Sequence, residues 1–435
     1  MSLSIIFRLM LILPIFQTWT IWNEIPTSKI LDDLLYFIFI FVFIFRLIKD
    51  KKNLKFNLEK IKNLDENLKK VIIFGSMFLL IGFTLSMLKL ILGEALSIKG
   101  ICWEFYKLTR NLFILMYAYL YVDKDEFYKI CKIYINICIL MVIISLLEVI
   151  FGLRFYEFIK FTPTFESYPD FYNFYVPQKR TVGMFGHPNV LGEFLAFGFI
   201  VLYYFDVNNL ILFKKNIEQK IYLIILFSGI LISSSRMTFI LTIVITIYMC
   251  FRYKLEDGKK LIIRGIIITI PFGLFAIQKL LYKLWEYYYY NIIQGSTEMR
   301  LQAWKQAIMM LFDYPLGTGY GTWGDASAAY SNFVYDKALD GVVRTLSDSY
   351  LSHLIVENGI WTILLFFAIY YMYKLFNSNV YNHNYKLYCL ISIHTIIFIV
   401  LTSFKSMGMS LFEVSFFPYF ILGFSIHKIT SKNLL

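Results

Sequence analysis

The residues with the clearest capacity for chemistry lie in SDSYLSHLIVENG, residues 347–359. Asp348 stands where an apolar run begins, and Ser349, His353 and Glu357 follow at i, i+4 steps on one face of a predicted helix. A carboxylate or an imidazole at a membrane surface can act as a general base when its pKa suits the reaction. Asp348 could equally be the N-cap of this helix, a position where Asp is common. Both roles stay open for Asp348.

A second polar group, QKRTVGMFGHPNV, precedes another apolar run. Arg180 is followed by a glycine turn, and His187, Pro188 and Asn189 then open the run. Proline suits the first turn of a helix, because its missing N–H has no partner there in any case. The free N–H groups of such a helix start, with Arg180 beside them, predict an anion site. The alternative is an interfacial arginine that meets lipid phosphates.

Two further arginines occupy polar stretches. Arg236, in SSSRMT, sits in a tight turn between two apolar runs. Serine suits such a turn, but nothing in the turn itself requires an arginine. The alternative is that the Arg236 side chain simply extends to the membrane interface. Arg300 lies one helical turn before Trp304, within the amphipathic segment 297–312, which can lie on a membrane surface. Stacking on Trp304 alone could explain Arg300. A turn follows that is rich in glycine: Gly317, Gly319, Gly321 and Gly324.

Composition identifies the elements that must position these residues. Hydrophobic residues make up 58% of the 435 residues, 17% are charged, and the mean hydropathy is +0.62. Soluble chains are about half apolar and a quarter charged, so this chain is predicted to be a polytopic membrane protein. The first apolar run contains Arg8 and has no small-residue cleavage site, which favours a first span over a cleaved signal peptide. The net charge of +12 fits basic cytoplasmic loops better than a nucleic-acid partner, and the five cysteines show no CxxC spacing that would indicate a metal site.

Apolar runs of bilayer-spanning length predict an all-α fold with about 12 transmembrane helices, because lipid offers no partner for unpaired backbone groups. The runs lie at about 3–22, 31–48, 71–92, 102–122, 130–152, 188–207, 219–234, 237–251, 261–281, 349–373, 386–403 and 411–427. Glu104, Lys107 and Arg110 share the fourth run at spacings of three. These charges could pair with each other, or they could form a functional intramembrane cluster.

Loop charge predicts the orientation. Lys and Arg concentrate in the loop after the second run, in the loops after the sixth and eighth, and in the C-terminal tail. The positive-inside rule then places both termini in the cytoplasm. The chain forms one integral membrane domain, 1–435, with a first external segment at 153–187 and a large external loop at 282–348, between the ninth and tenth spans. The short external connections carry little charge: Lys99, Arg236 and Lys405 stand nearly alone.

Four motifs together resemble one known family. RTVGMFGHPN, SSSR, EMRLQAWKQAI…PLGTGYG and SDSYLSHLIVENG fall in the order and spacing of the O-antigen polymerase and ligase superfamily (Wzy- and WaaL-like proteins). The resemblance is clearest over about 175–365, and the first five spans match only in hydropathy and layout. It implies a GT-C-like membrane glycosyltransferase that acts on undecaprenyl-diphosphate-linked glycans at the outer face of the bacterial plasma (inner) membrane.

The resemblance also implies roles for named residues. Arg180, Arg236 and Arg300 would bind the diphosphate, since guanidinium groups bind phosphate bidentately and stabilise its developing charge. Residues expected to shape the substrate site are Asn189, Trp304 and Gly319. Asp348 would orient or deprotonate the acceptor hydroxyl, with His187 and His353 as rivals. This scheme requires no metal and no cofactor; a chain-length regulator is a possible partner.

The resemblance leaves the branch of the superfamily to be decided. Ligases carry a histidine where this chain has Asp348, and that difference favours a polymerase of O-antigen, capsule or exopolysaccharide. The alternatives are a ligase that transfers glycan to lipid A-core or another acceptor, and a lipid-linked oligosaccharide transporter. A transporter would be expected to carry broken helices near the midplane and internal repeats, whereas the polar residues here gather at one external surface. A purely structural membrane protein would leave the four motifs unexplained.

Overall fold

The computed structural model describes most of the chain. The described residues are 3–22, 31–49, 65–152, 155, 181–256, 258, 293–324, 333, 335, 349–406 and 408–430. For residues 13–22, 31–32 and 293–300 the structure describes the backbone alone.

The described residues form helices joined by turns, with no strand among them. The α-helices are α1 (Leu3–Trp22), α2 (Leu31–Lys49), α3 (Glu66–Ile91), α4 (Ile98–Tyr121), α5 (Lys124–Phe151), α6 (Pro188–Val207), α7 (Asn216–Ile232), α8 (Arg236–Arg252), α9 (Ile293–Asp313), α10 (Tyr350–Asn358), α11 (Thr362–Asn379), α12 (Lys386–Ser403) and α13 (Phe412–Thr430). Two 3₁₀ turns, Gly359–Trp361 and Gly408–Ser410, precede α11 and α13. The all-α prediction is therefore confirmed for the described part of the chain.

Helices occupy the predicted apolar runs wherever the structure describes them. The runs 3–22, 188–207 and 386–403 coincide with α1, α6 and α12, and most of the other described runs differ from their helices by a few residues at the ends. The run 349–373 is instead divided between α10 and α11 by the 3₁₀ turn Gly359–Trp361. The ninth run, 261–281, lies outside the described residues. Among the described residues, five helical segments are long and apolar enough to cross a membrane: Glu66–Ile91, Lys124–Phe151, Pro188–Val207, Tyr350–Asn379 and Lys386–Ser403. The count of twelve spans is thus not confirmed.

The outer surface of the bundle is apolar. Large hydrophobic side chains point outward along the helices, and Phe41, Ile91 and Leu92 expose 74%, 75% and 78% of their surface. Soluble proteins rarely leave extended apolar patches in water, whereas lipid tails cover such surfaces without loss. The long apolar helices and their apolar exterior indicate a membrane protein.

Aromatic residues fill the interior around α6. Of the 18-residue apolar stretch of this helix that could cross a membrane, 89% is buried inside the protein. Tyr134 of α5 stacks on Phe417 of α13 with ring centroids 3.6 Å apart, and Phe127 stacks on Phe424 at 4.0 Å. Tyr134 also contacts the ring of Phe194 in α6, with centroids 4.6 Å apart. Helix α6 is therefore packed into the interior, and residues at its first turn have defined neighbours.

Charged residues within the helices have polar contacts. Glu104 and Lys107 pair at 2.7 Å, as one reading of the sequence expects, but Arg110 donates to the carbonyl oxygen of Ser410 at 2.5 Å. Arg8 of α1 forms two hydrogen bonds with the carboxylate of Glu126. Buried charge is tolerable only with such partners. The contacts of Arg8 and Arg110 join elements that are far apart in the chain, whereas Glu104 and Lys107 pair within α4.

Candidate functional site

Three turns meet at the end of the bundle where α6 and α8 begin and α12 ends. Asn189, in the first turn of α6, accepts hydrogen bonds at Oδ1 from Ser235 Oγ (3.0 Å) and from Lys405 Nζ (3.2 Å). Lys405 Nζ also lies 3.4 Å from Ser235 Oγ. Asn189 and Ser235 are buried, and Lys405 is partly buried. We call Asn189, Ser235, Arg236 and Lys405 the turn cluster.

His187 caps the helix that presents Asn189. Its backbone is extended, and its Nδ1 accepts the N–H of Asn189 at 3.1 Å, with Pro188 as the first helical residue. A ring nitrogen that accepts cannot carry a proton, so a neutral His187 in this arrangement has its proton on Nε2. His187 thereby accepts a hydrogen bond from one of the N–H groups at the helix start, which the sequence predicted to bind an anion.

The serine turn sets the position of Arg236. Ser233 Oγ donates to the carbonyl oxygen of Ile230 at 2.7 Å and accepts the N–H of Ser235 at 3.3 Å, while Ser234 has φ +55°. Arg236 follows as the first residue of α8 and is exposed. The guanidinium is therefore presented at the helix start, where the helix dipole favours anions.

Trp304 attaches the amphipathic helix α9 to the same end of the bundle. Its Nε1 donates to the carbonyl oxygen of Phe404 at 3.1 Å, and the two rings stack with centroids 5.6 Å apart. Phe404 directly precedes Lys405 in the chain. Trp304 thus lies beside the turn that carries Lys405.

A second group of charges surrounds His353, which has no exposed surface. His353 Nε2 lies 3.3 Å from Glu104 Oε1 and 3.1 Å from Glu357 Oε2, and Lys107 Nζ lies 2.7 Å from Glu104 Oε2. With two carboxylates and one ammonium, the charges balance when the imidazole also carries a proton. We call Glu104, Lys107, His353 and Glu357 the charge cluster.

The glycine-rich turn closes over the charge cluster. The N–H groups of Gly321 and Trp323 donate to Glu357 Oε1 at 2.8 and 3.2 Å. A Cβ on Gly324 would stand 2.5 Å from His353 Nδ1, and Gly319 has φ +99° with Leu96 Cδ2 only 2.7 Å from where its Cβ would be. Gly319 therefore shapes this cover and lies away from the turn cluster. His353 cannot reach a substrate in this conformation.

The charge cluster also has the composition of a metal site. Glu104, His353 and Glu357 each present a ligand atom within 4.8 Å of the others. Carboxylate and imidazole are common zinc ligands. A divalent cation would, however, have to share Glu104 with the Lys107 ammonium. The balance of charges therefore favours a protonated His353 over a bound divalent cation.

The structure thus divides the predicted site residues. Asn189 contacts Lys405, Arg236 follows Ser235 in the same turn cluster, and Trp304 bonds to the residue before Lys405. His353 belongs instead to the charge cluster, and Gly319 to the turn that covers it. Helix α10 joins the two groups, since Ser349 Oγ donates to the carbonyl oxygen of Ser403 at 3.0 Å. Arg180 and Asp348 lie outside the described residues, and of Arg300 only the helical backbone is described.

Sequence reasoning missed two residues of this end of the bundle. Lys405 was visible as a lone lysine on a short connection predicted to be external. Glu193 was visible as a carboxylate inside the apolar run 188–207, where an ionisable residue is a functional candidate. Glu193 has no exposed surface and follows Asn189 by one helical turn.

The described helices, the apolar exterior and the polar residues at one end define a polytopic helical membrane protein. Residues 221–367 match the family model described as O-antigen ligase, which confirms the resemblance to the O-antigen polymerase and ligase superfamily. The matched region contains Arg236 and Trp304 but not Asn189 or Lys405. None of the curated proteins matches the chain.

Proposed function

We propose that this protein polymerises undecaprenyl-diphosphate-linked oligosaccharide repeat units at the external face of the bacterial plasma membrane, with both termini in the cytoplasm. The observation that carries the proposal is the turn cluster. Two cationic side chains, Arg236 and Lys405, occupy one end of a helical bundle, and this end includes part of the region that matches the O-antigen ligase family. By the loop charges this end is the external one.

The proposed reaction is a glycosyl transfer between two lipid-linked glycans. A terminal hydroxyl of the incoming unit attacks the anomeric carbon of the growing chain, and the bond from that carbon to the diphosphate oxygen breaks. The hydroxyl proton passes to a base, for which Asp348 is the candidate. The lipid diphosphate leaves with the bonding electrons, and Arg180, Arg236 and Arg300 bind its charge. Stabilising this charge as it develops is where fixed cations accelerate such a reaction most.

A ligase is the second candidate, because the matching family model is described as O-antigen ligase. A ligase would use the same donor and the same leaving group but a different acceptor. Asp348, where ligases of the superfamily carry histidine, favours the polymerase. Polymerase activity would also accommodate a chain-length regulator as a partner.

Reconstitution in detergent tests the proposal. The purified protein with a lipid-linked repeat unit as sole substrate is expected to yield a ladder of longer lipid-linked chains. A transporter would leave the substrate unchanged, because detergent removes the two compartments. A ligase would lengthen nothing until a separate acceptor was added. An absence both of a ladder and of any glycosylated acceptor would overturn glycosyl transfer.

Two arginines at opposite ends of α8 supply a matched pair of variants. Arg236→Ala removes a guanidinium from the turn cluster and is expected to lower the rate by about 100-fold, as for loss of one charge-stabilising donor. Arg252→Ala removes one from the far end of the same helix and is expected to leave the rate unchanged. Equal rates for the two variants would remove Arg236 from the mechanism.

A further inference from the structure

The connection between α12 and α13 meets several other elements at the site end of the bundle. We call its described residues, 404–406 and 408–410, the α12–α13 connection. Taken in chain order, these residues form hydrogen bonds with Trp304 of α9, Asn189 of α6, Ser235 at the N-cap of α8, Tyr350 of α10 and Arg110 of α4. These partners are far apart in the chain, so the connection helps to set where their helices lie relative to each other.

Glu193 adjoins this connection from the interior of the bundle. It follows Asn189 by one helical turn in α6 and has no exposed surface. The Ser406 hydroxyl hydrogen-bonds to its carboxylate, and the Lys405 ammonium acts on it as the opposite charge. A buried carboxylate is stable only when a cation and hydrogen bonds compensate for its lost hydration. Glu193 is therefore the counter-charge of Lys405, and the two charges balance within the protein.

The backbone of the connection fits closely around this carboxylate. The N–H of Gly408 donates to Ser406 Oγ at 3.0 Å, so one hydroxyl joins the glycine to Glu193. Gly408 also lies so close to Glu193 Oε2 that a Cβ at position 408 would collide with it. The contact thus depends on the absence of a side chain at position 408 as well as on charge.

The ion pair also connects the starts of two helices. Asn189 and Glu193 are four residues apart in α6, so they share one face of that helix. Lys405 donates to Asn189 Oδ1 at 3.2 Å, and its other contact, at 3.4 Å, is the hydroxyl of Ser235. Ser235 directly precedes Arg236, the first residue of α8. Lys405, balanced by Glu193, therefore joins α6 to the residue before Arg236.

We propose that Glu193 is a positioning residue of the glycosyl transfer: it holds Lys405, and through Lys405 it keeps Arg236 and the start of α8 aligned with Asn189 in α6. Glu193 does not touch the substrate. The reaction that it serves rests on the proposed function, whereas the alignment rests on the contacts above. Misplacing a catalytic group by about 1 Å costs about 100-fold in rate, so a loss of this alignment is measurable.

Glu193→Gln tests this role, because the amide keeps the shape of the side chain but removes the charge that holds Lys405. In the reconstituted ladder assay, kcat is expected to fall by about 10- to 100-fold while KM changes by less than about threefold, since Arg236 acts on charge that develops in the transition state. Glu218→Gln is the matched control. Its carboxylate accepts from Tyr222 at the far end of α7, and its kcat should equal that of the wild type.

A double-mutant cycle shows whether Glu193 acts through Lys405. Lys405→Gln keeps a hydrogen-bond donor to Asn189 but loses the charge. Adding Glu193→Gln to this variant is expected to lower kcat little further, because the ion pair is already broken. Lys405→Arg, which keeps the charge, is expected to retain most of the activity. Equal losses from Glu193→Gln in both backgrounds would show that Glu193 acts independently of Lys405 and would overturn the proposal.

Hydrogen exchange separates alignment from general stability. Glu193→Gln is expected to speed amide exchange at the starts of α6 and α8 and to leave exchange in α11, which makes none of the contacts above, unchanged. Equal acceleration in all described helices would show a general loss of stability and would overturn the positioning role. If Glu193→Gln does not fold, Ser406→Ala, which removes one hydrogen bond to the carboxylate, takes its place with the same expected pattern.

The proposal and the proposed function fail in different ways. A ladder with an unchanged kcat in Glu193→Gln would keep the polymerase and remove Glu193. Absence of any product from the wild-type protein would remove the glycosyl transfer, and hydrogen exchange would then decide the alignment by itself. Local acceleration at the starts of α6 and α8 would keep Glu193 as the residue that aligns them, and unchanged exchange would remove it.

Discussion

The charge cluster permits a sharp test of how this protein holds buried charge. His353 lies between Glu104 and Glu357 with no exposed surface, and Lys107 contacts the other oxygen of Glu104. His353→Gln removes the cation that two buried carboxylates share. Removing one partner of a buried ion pair costs about 3–5 kcal/mol, because the remaining charge is uncompensated. We expect a loss of stability of that size.

A second substitution separates charge from packing. In the His353→Gln variant Glu104 keeps its pair with Lys107, whereas Glu357 loses its cation. Glu357→Gln in that background removes the uncompensated charge, so the double variant is expected to recover part of the loss. Glu104→Gln is expected to recover less, because it leaves the Lys107 ammonium without its carboxylate.

The assay is unfolding in mixed micelles as the fraction of denaturing detergent rises, followed by tryptophan fluorescence. The control is Lys70→Ala, which breaks the exposed i, i+4 pair with Glu66 and should change stability by less than about 1 kcal/mol. The reasoning is refuted if His353→Gln unfolds with the wild type. It is also refuted if Glu357→Gln lowers stability equally in both backgrounds, since charge would then not be the cause.

Three further outcomes are expected. Gly319→Ala should destabilise the protein by more than Gly93→Ala, as measured by the same unfolding assay, because both positions have positive φ but only Gly319 would also clash with a neighbour. Trp304→Phe retains an aromatic ring but loses the hydrogen bond to the carbonyl oxygen of Phe404, so stability in the same assay should fall by about 1 kcal/mol. The ladder of products should also shorten. An unchanged ladder would remove Trp304 from the site. In a cysteine-free background, Lys99→Cys should react with an impermeant maleimide in intact cells and Asn382→Cys only after permeabilisation; the reverse pattern would invert the topology.

The sequence predicted the helices well and the site only in part. Runs such as 386–403 coincide with their helices because the hydropathy of a continuous stretch is enough to define an apolar helix. The pairing of Glu104 with Lys107 was also within reach, because residues three apart face each other on one helix. The partner of Arg110 could not be predicted from the sequence, because its acceptor, the carbonyl oxygen of Ser410, lies 300 residues away in the chain.

Candidate site residues show the same limit. His353 looked accessible because its helix starts at the membrane boundary, but the glycine-rich turn covers it, and no local pattern shows which segment a turn will cover. His187 looked like a possible base, and in the structure it is an N-cap, a role decided by the backbone angle at one residue. Asp348 and Arg180 remain predictions from motif and resemblance.

The amino-acid sequence by itself determined the class of protein, the helical architecture of the apolar runs and the resemblance to a family. These follow from properties of neighbouring residues, because lipid forces each apolar stretch to satisfy its own backbone. Tertiary structure alone decided which polar residues share a site. Lys405 meets Asn189 and Ser235 only because α12 packs beside α6 and α8, and that packing depends on contacts between residues far apart in the chain.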